Sequence, residues 1–367
     1  MSIDKATTPH TNLVFIDVLR SIAVIGVVAV HTAQWTLSSV KDADGWFAAV
    51  STLLYSGRLG VEVFFFLSGF LLTLLYENKA KSLRSYAASR FFRIWPLWTL
   101  FSIVWASYFI ISGEATDWVA AGFLLSLFFG LWLSPEHYNS FIGGAWSIQI
   151  EIVAYIIFWF LKERKVPTIV SVAILINLIG TFVSVIVGLD DPDLFGGIRR
   201  LSLQTGLNFF VAGWISSRVV KESGWFGTNK DLAKTPQHSV TLHALKSNWL
   251  LLLVWLGTFL LTPAIYGNPI EAIGFLLISI ALAAIISRGR KITVVFAYVG
   301  RRSYFVFFMH FILLEVLGES IIISNSAVLA MAATPLAIFG VLGTSLALSE
   351  LSFRFFEKPL MRVARRF

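Results

Sequence analysis

Ten stretches of this chain each stay apolar for about the twenty residues that a bilayer core requires: residues 13–36, 59–77, 90–112, 144–161, 166–188, 201–219, 249–266, 270–287, 303–323 and 328–353. Inside hydrocarbon every backbone N–H and C=O must be bonded within the segment, so runs of this length and kind are helices. The composition agrees. Of 367 residues 57% are hydrophobic and 14% charged, where soluble domains carry about a quarter charged residues. The expectation is an all-α membrane protein. The first run is too long for the apolar part of a signal peptide and has no convincing cleavage site, so it reads as a retained helix.

Charge sets the expected topology. With the N-terminus inside and crossings alternating, all of the 29 Lys and Arg residues except Lys41, Arg58, Arg199 and Arg200 fall on the inner side. The +8 net charge is therefore read as membrane orientation, with no nucleic-acid partner. A further apolar run, residues 117–133, has to enter and leave on the same side. It reads as a re-entrant or interfacial piece of an outer segment, 113–143. The expected arrangement is one membrane-embedded domain over residues 1–367, with about ten transmembrane helices and both termini cytoplasmic. Residues 220–248 form a polar, turn-rich cytoplasmic loop. A plain bundle of eleven or twelve helices is the competing arrangement. With no Cys in the chain there is no disulfide, thiolate metal site or Cys nucleophile, and no metal is expected.

Within this apolar frame residues 15–31, FIDVLRSIAVIGVVAVH, carry an Asp, an Arg and a His. At 100° per residue Asp17, Arg20 and His31 fall within about 60° of one another, and His31 stands about 16 Å beyond Arg20 along the axis. Ionisable groups at membrane depth cost at least roughly 2–3 kcal/mol each unless paired or hydrated. One reading is a polar stripe lining a cavity. The other is a surface Asp17–Arg20 pair with one structural His.

Other stretches add to the first reading. Arg58 and Glu62 lie one turn apart in RLGVEVFFFLSGF, which also holds Ser68. Arg90 and Arg93 are three apart in RFFRIWPLW, at the inner surface, where positive-inside anchoring is the simpler explanation. Trp146, Ser147 and Glu151 occur in WSIQIE, and His310 ends SYFVFFMH. A His beside a carboxylate can take a proton from a hydroxyl. Guanidinium forks at the inner face suit phosphates. Together these features fit a phosphate-bearing donor entering from the cytoplasm and a hydroxyl acceptor, as acyl-coenzyme A and a sugar would supply. No GxSxG elbow, P-loop or HExxH is present. A transporter with a His/carboxylate proton relay is the alternative, although the two halves of the chain show no inverted pairing.

The patterns DVLRSIAVIGVVAVH, LGVEVFFFLSGFLL, RFFRIWPLW, WSIQIE, SYFVFFMH and FEKP, in this order, resemble the acyltransferase-3 family of bacterial membrane O-acyltransferases over roughly residues 13–360. The resemblance implies a ten-helix core in the bacterial inner membrane. It also implies transfer of an acyl group, usually acetyl, from cytoplasmic acetyl-CoA to a carbohydrate, possibly lipid-linked, such as lipopolysaccharide O-antigen or another surface polysaccharide. His31, Arg20 and the Arg90–Arg93 pair match the family's first-helix His, first-helix Arg and Arg-x-x-Arg. Trp146, Ser147 and Glu151 match its tryptophan–serine–glutamate element. Glu62 matches its acid after Gly-Val, and Ser68-Gly69 its Ser-Gly. Some members add an extracytoplasmic hydrolase-like domain. The sequence ends at Phe367, so transfer is expected within the membrane domain or with a separate partner.

The mechanism so implied has Arg20, Arg90 and Arg93, with Asp17, holding the coenzyme phosphates. His31 deprotonates the acceptor, oriented by Glu62 or, second, Glu151. An acyl-enzyme on Ser68 or Ser147 is the alternative. His310 either helps bind the acceptor or plugs a polar gap. Glu315 and Glu350 fit structural helix pairing equally well. His10, His137, His238 and His243 lie in tails or loops and are expected to play no catalytic part.

Overall fold

A computed structural model of the chain describes residues 10–37, 46–77, 82–134, 137, 141–187, 197–222, 240–261, 269–321 and 327–360. These residues form thirteen α-helices and no strand. They are α1 (His10–Thr36), α2 (Trp46–Tyr55), α3 (Gly60–Tyr76), α4 (Leu83–Ile111), α5 (Thr116–Leu127), α6 (Ala145–Leu161), α7 (Val166–Val187), α8 (Gly197–Glu222), α9 (Val240–Ser247), α10 (Trp249–Leu260), α11 (Pro269–Ile286), α12 (Arg290–Ile321) and α13 (Ala327–Ser352). A 3-10 turn, Ser56–Leu59, joins α2 to α3, and a π-helical turn, Phe353–Glu357, follows α13.

Six helical stretches are long and apolar enough to cross a membrane: Val14–Thr36, Ala49–Tyr76, Leu83–Ile111, Pro269–Ile286, Arg290–Leu317 and Leu329–Leu360. Four further apolar helices, Thr116–Leu127, Ala145–Leu161, Val166–Phe182 and Trp249–Leu260, are shorter.

Several helix ends differ from the sequence reading. The second apolar run begins well before residue 59, because α2 and its 3-10 turn lead directly into α3. Helices α4 and α12 start ahead of residues 90 and 303. Their leading turns carry arginines, which an apolar count excludes although backbone hydrogen bonding continues through them. Ser82 caps α4, its hydroxyl accepting from the Ser85 backbone N–H at 3.2 Å. The segment 220–248 is not loop throughout: α8 reaches Glu222 and α9 occupies Val240–Ser247, while residues 223–239 lie outside the described residues.

The run at 117–133 becomes α5, whose 12 residues rise only about 18 Å, short of the roughly 30 Å of a bilayer core. Its last carbonyls need partners, and two tryptophans of RFFRIWPLW supply them. Trp98 donates to Ser126 O at 2.7 Å and Trp95 to Leu127 O at 3.1 Å.

The chain divides into two compact units. The first comprises Met1–Ser21, Glu62–Lys79 and Ile150–Gly300. Here α3 and α8 touch backbone to backbone, with Gly69 against the Phe210 carbonyl and Gly213 against that of Phe66, so that a Cβ on either glycine overlaps the other helix. Close approach through small residues is how helices associate in lipid. A buried amide network ties α7, α8 and α10 together. Asn208 Nδ2 donates to Asn177 Oδ1 at 2.7 Å, Asn177 Nδ2 to Thr258 Oγ1 at 3.2 Å, and Trp255 Nε1 to Asn208 Oδ1 at 2.6 Å.

The second unit comprises Ile22–Val61, Ala80–Gln149 and Arg301–Phe367. Here α4 and α12 run side by side in the same sense. Tyr304 donates to the Ile94 carbonyl at 3.4 Å, Phe101 packs 5.3 Å from both Phe305 and Phe308, and Tyr108 donates to Glu315 at 3.4 Å. Arg302 joins α12 to α13 through Glu350 at 2.6 Å. Apolar side chains face out and polar ones in: Leu336 and Phe339 are 75% and 71% exposed, Thr334 and His310 2% and 0%. That distribution suits a lipid solvent.

Candidate active site

The second unit gathers His31 and His310. Their ring centroids are 5.4 Å apart, and Phe311 lies against both, at 4.7 Å from His31 and 4.1 Å from His310. The two glycines before α6 seat Phe311. A Cβ on Gly143 would come within 2.6 Å of the Phe311 ring, and one on Gly144 within 2.9 Å. Gly144 also holds φ +74, a left-handed conformation that other residues adopt only with strain. The Ile-Gly-Gly-Ala turn is thus shaped to the aromatic floor of the histidine pair.

Each imidazole has one nitrogen committed. Nδ1 of His31 lies 2.9 Å from Oε1 of Gln34, one turn along α1. An amide oxygen only accepts, so Nδ1 carries the proton and Nε2 is left as the acceptor. Nδ1 of His310 donates to the Val306 carbonyl at 3.1 Å, and its buried Nε2 has no hydrogen-bond partner among the described residues.

At Nδ1 of His31 stands an amide, Gln34; the sequence reading expected Glu62 or Glu151 to orient this ring. Both acids belong to the first unit. Glu62 is buried in the first turn of α3, and Glu151 accepts from Ser68 at 2.8 Å and from the hydroxyl of Tyr155. Ser147 donates to the Gly144 carbonyl at 2.8 Å, in the first turn of α6 where Trp146 is half-buried.

Among the cations, Arg20 pairs with Asp17 at 3.8 Å across one turn of α1. Arg90 donates to Ser89 at 3.4 Å, and Arg93 is exposed. Arg58 donates to the Tyr55 carbonyl at 2.9 Å and lies 4.0 Å over the Tyr55 ring, so it braces the α2–α3 junction. The register of α4 against α12 locates the arginine pair relative to the histidines. Tyr304 against Ile94 and Phe308 beside Phe101 set a register that puts Arg93 about 10–15 Å, and Arg90 about 15–20 Å, from His310 along the axis.

His137 is held on the segment 113–143 by three contacts. Its ring lies 2.7 Å from Ser134 Oγ and 2.9 Å from the Trp118 carbonyl, and stacks on Trp118. Lys41, His238 and the side chains of His10, His243, Arg199 and Arg200 lie outside the described residues. No group of three or more His, Asp or Glu residues placed to hold a metal ion occurs among the described residues.

Gln34 and Phe311 beside the histidines of the second unit, and Tyr155 beside Glu151 in the first, are missing from the sequence reading. Gln34 and Tyr155 stand three and four residues after His31 and Glu151, spacings that place them on the same helix face. Nothing local marks Phe311.

Comparison with known proteins gives three kinds of match. The acyltransferase-3 family, described as an acyltransferase domain, matches residues 13–350. The chain is 24% identical to the O-acetyltransferase OatA of Staphylococcus aureus over 383 residues, covering 95% of this chain and 57% of that protein. It is 23% identical to the peptidoglycan O-acetyltransferase OatA of Listeria monocytogenes over 388 residues, 95% of this chain and 55% of that one. With the acyltransferase MdmB of Streptomyces mycarofaciens it shares 30% identity over 160 residues, 41% of this chain and 39% of the relative. The chain thus spans little more than half the length of the OatA proteins. No solved structure matches.

Proposed function

This chain belongs to the acyltransferase-3 family, and on that premise we propose that it is a multi-pass O-acyltransferase of the bacterial cytoplasmic membrane. It moves an acyl group, acetyl in the simplest case, from acyl-coenzyme A to a hydroxyl of an envelope carbohydrate. The proposed topology has about ten crossings and cytoplasmic termini, so the donor enters from the side that carries Arg20, Arg90 and Arg93. The name of the Listeria relative makes peptidoglycan an acceptor to test beside lipopolysaccharide O-antigen.

The observation that carries this reading is the fixed tautomer of His31. With Nδ1–H held by Gln34, Nε2 is the base. It removes the proton of the acceptor O–H, the oxygen attacks the thioester carbonyl, and the C–S bond breaks. The thiolate leaves with the proton from His31, giving an O-acyl ester and free coenzyme A. Arg93 and Arg90 hold the donor phosphates, about 10–20 Å from the histidines along the packed helices, a span that an extended pantetheine arm bridges. In the first unit, Glu151 holds the hydroxyls of Ser68 and Tyr155, and Glu62 is buried.

The test is label transfer from radioactive acetyl-CoA in membranes containing wild type, His31→Ala or Arg93→Ala, with peptidoglycan and lipopolysaccharide recovered separately. Wild type labels one carbohydrate fraction. His31→Ala loses about 10²–10⁴-fold, the usual contribution of a general base. Arg93→Ala is rescued in part by high donor concentration. Label surviving His31→Ala removes the base assignment. No label in any fraction turns attention to transport, measured as uptake in vesicles.

A further inference from the structure

We propose that His310 is the second half of the acceptor site: its Nε2 accepts a hydrogen bond from a hydroxyl adjacent to the one that His31 deprotonates. The inference rests on His31 acting on the acceptor as proposed above.

Three observations carry it. Nε2 of His310 is buried and has no partner among the described residues, on a side chain that is 0% exposed. Buried polar atoms are nearly always bonded by protein, water or ligand. The Val306 carbonyl holds the proton on Nδ1, so Nε2 can only accept. His31 is in the same state, its Nδ1 held by Gln34. Two acceptor nitrogens on neighbouring rings cannot satisfy each other. A ligand that brings two donors close together would satisfy both.

Neighbouring hydroxyls of a carbohydrate are such a pair of donors. With ring centroids 5.4 Å apart, the two imidazoles are near enough for one ligand carrying vicinal hydroxyls to bond both. One hydroxyl reacts at His31 while the other is held at His310. Phe311 against both rings, and Phe307 at 6.0 Å from His310, supply an apolar wall for the C–H face of a sugar ring.

The experiment is steady-state acetyl transfer in membranes to the carbohydrate fraction that wild type labels, comparing His310→Phe and His310→Gln at matched protein level. Phe fills the ring volume without an acceptor, and Gln returns an accepting oxygen. The Phe variant is expected to raise the acceptor KM about tenfold, the worth of one hydrogen bond, with kcat and donor KM within about threefold of wild type. Gln restores the acceptor KM to within about threefold. If the Phe variant does not accumulate, His310→Leu takes its place. A fall in kcat at unchanged acceptor KM overturns the proposal and indicates a bound water or proton path instead. So does a Gln variant no better than Phe, which indicates packing alone. If wild type itself transfers no acetyl group, the reading of function fails and this inference with it.

Discussion

Nδ1 of His31 meets the amide oxygen of Gln34 at 2.9 Å, one turn further along the same helix. A neutral amide does half of what a carboxylate would do there. It fixes the tautomer and ring orientation but brings no charge to stabilise an imidazolium. Gln34→Leu is therefore expected to lower kcat by about 10–100-fold, as loss of an orienting partner does, with donor KM unchanged. Gln34→Glu keeps an oxygen in reach of Nδ1 and retains more activity than Leu. Equal loss in both variants would remove the orienting role.

In the first unit Glu77 is the shared anion of Arg218 and Lys221, and Arg218 also donates to the Lys162 carbonyl at 3.0 Å. The side chains of Glu77 and Arg218 are only 7% and 11% exposed. Removing one member of a buried pair leaves the other charge uncompensated and costs about 3–5 kcal/mol, whereas removing both costs much less. Glu77→Gln should lower the thermal midpoint of the detergent-solubilised protein far more than the Glu77→Gln/Arg218→Gln/Lys221→Gln triple variant, which leaves no charge of the cluster uncompensated. Additive losses would show that the cluster contributes no coupled stability.

The helical frame was legible because apolar runs of bilayer length admit almost nothing else. The helix starts were not, since Arg84, Arg90 and Arg93 in α4 and Arg290, Lys291, Arg301 and Arg302 in α12 interrupt hydropathy without interrupting hydrogen bonding. His31 and His310 could be singled out because ionisable groups at membrane depth are costly. Their meeting could not be foreseen, since it depends on how α1 packs against α12. The same holds for the orienting group. Charge complementarity favoured a carboxylate, while the backbone of α1 already carried an amide one turn away. The polar network of Asn177 and Asn208 drew no notice because single amides interrupt an apolar run too little.

Gly144 tests the floor of the site. Its φ of +74 and the Phe311 and Phe307 rings, 2.9 and 3.1 Å from a Cβ placed there, give alanine both backbone strain and a clash. Gly144→Ala should destabilise by about 1–3 kcal/mol and raise the acceptor KM by displacing Phe311. Gly340→Ala, where a Cβ meets nothing within 4 Å, is the matched control and should leave stability and activity unchanged. A neutral Gly144→Ala would contradict the seating of Phe311.

The two serines distinguish direct transfer from an acyl-enzyme. Ser147 donates to the Gly144 carbonyl at 2.8 Å and is buried, so its oxygen is tied to backbone. Ser68 donates to Glu151 at 2.8 Å, a carboxylate that also takes the Tyr155 hydroxyl. Direct attack by the acceptor requires neither oxygen to carry the acyl group. Ser147→Ala should keep activity within about threefold, the loss of one ordinary hydrogen bond. Ser68→Ala should cost no more than about tenfold, because Tyr155 still satisfies Glu151. Wild type mixed with acetyl-CoA and no acceptor should show the unmodified intact mass. A stoichiometric acetyl adduct on Ser68, with background activity in Ser68→Ala, would replace the single-step path by a two-step one in which His31 serves the second transfer.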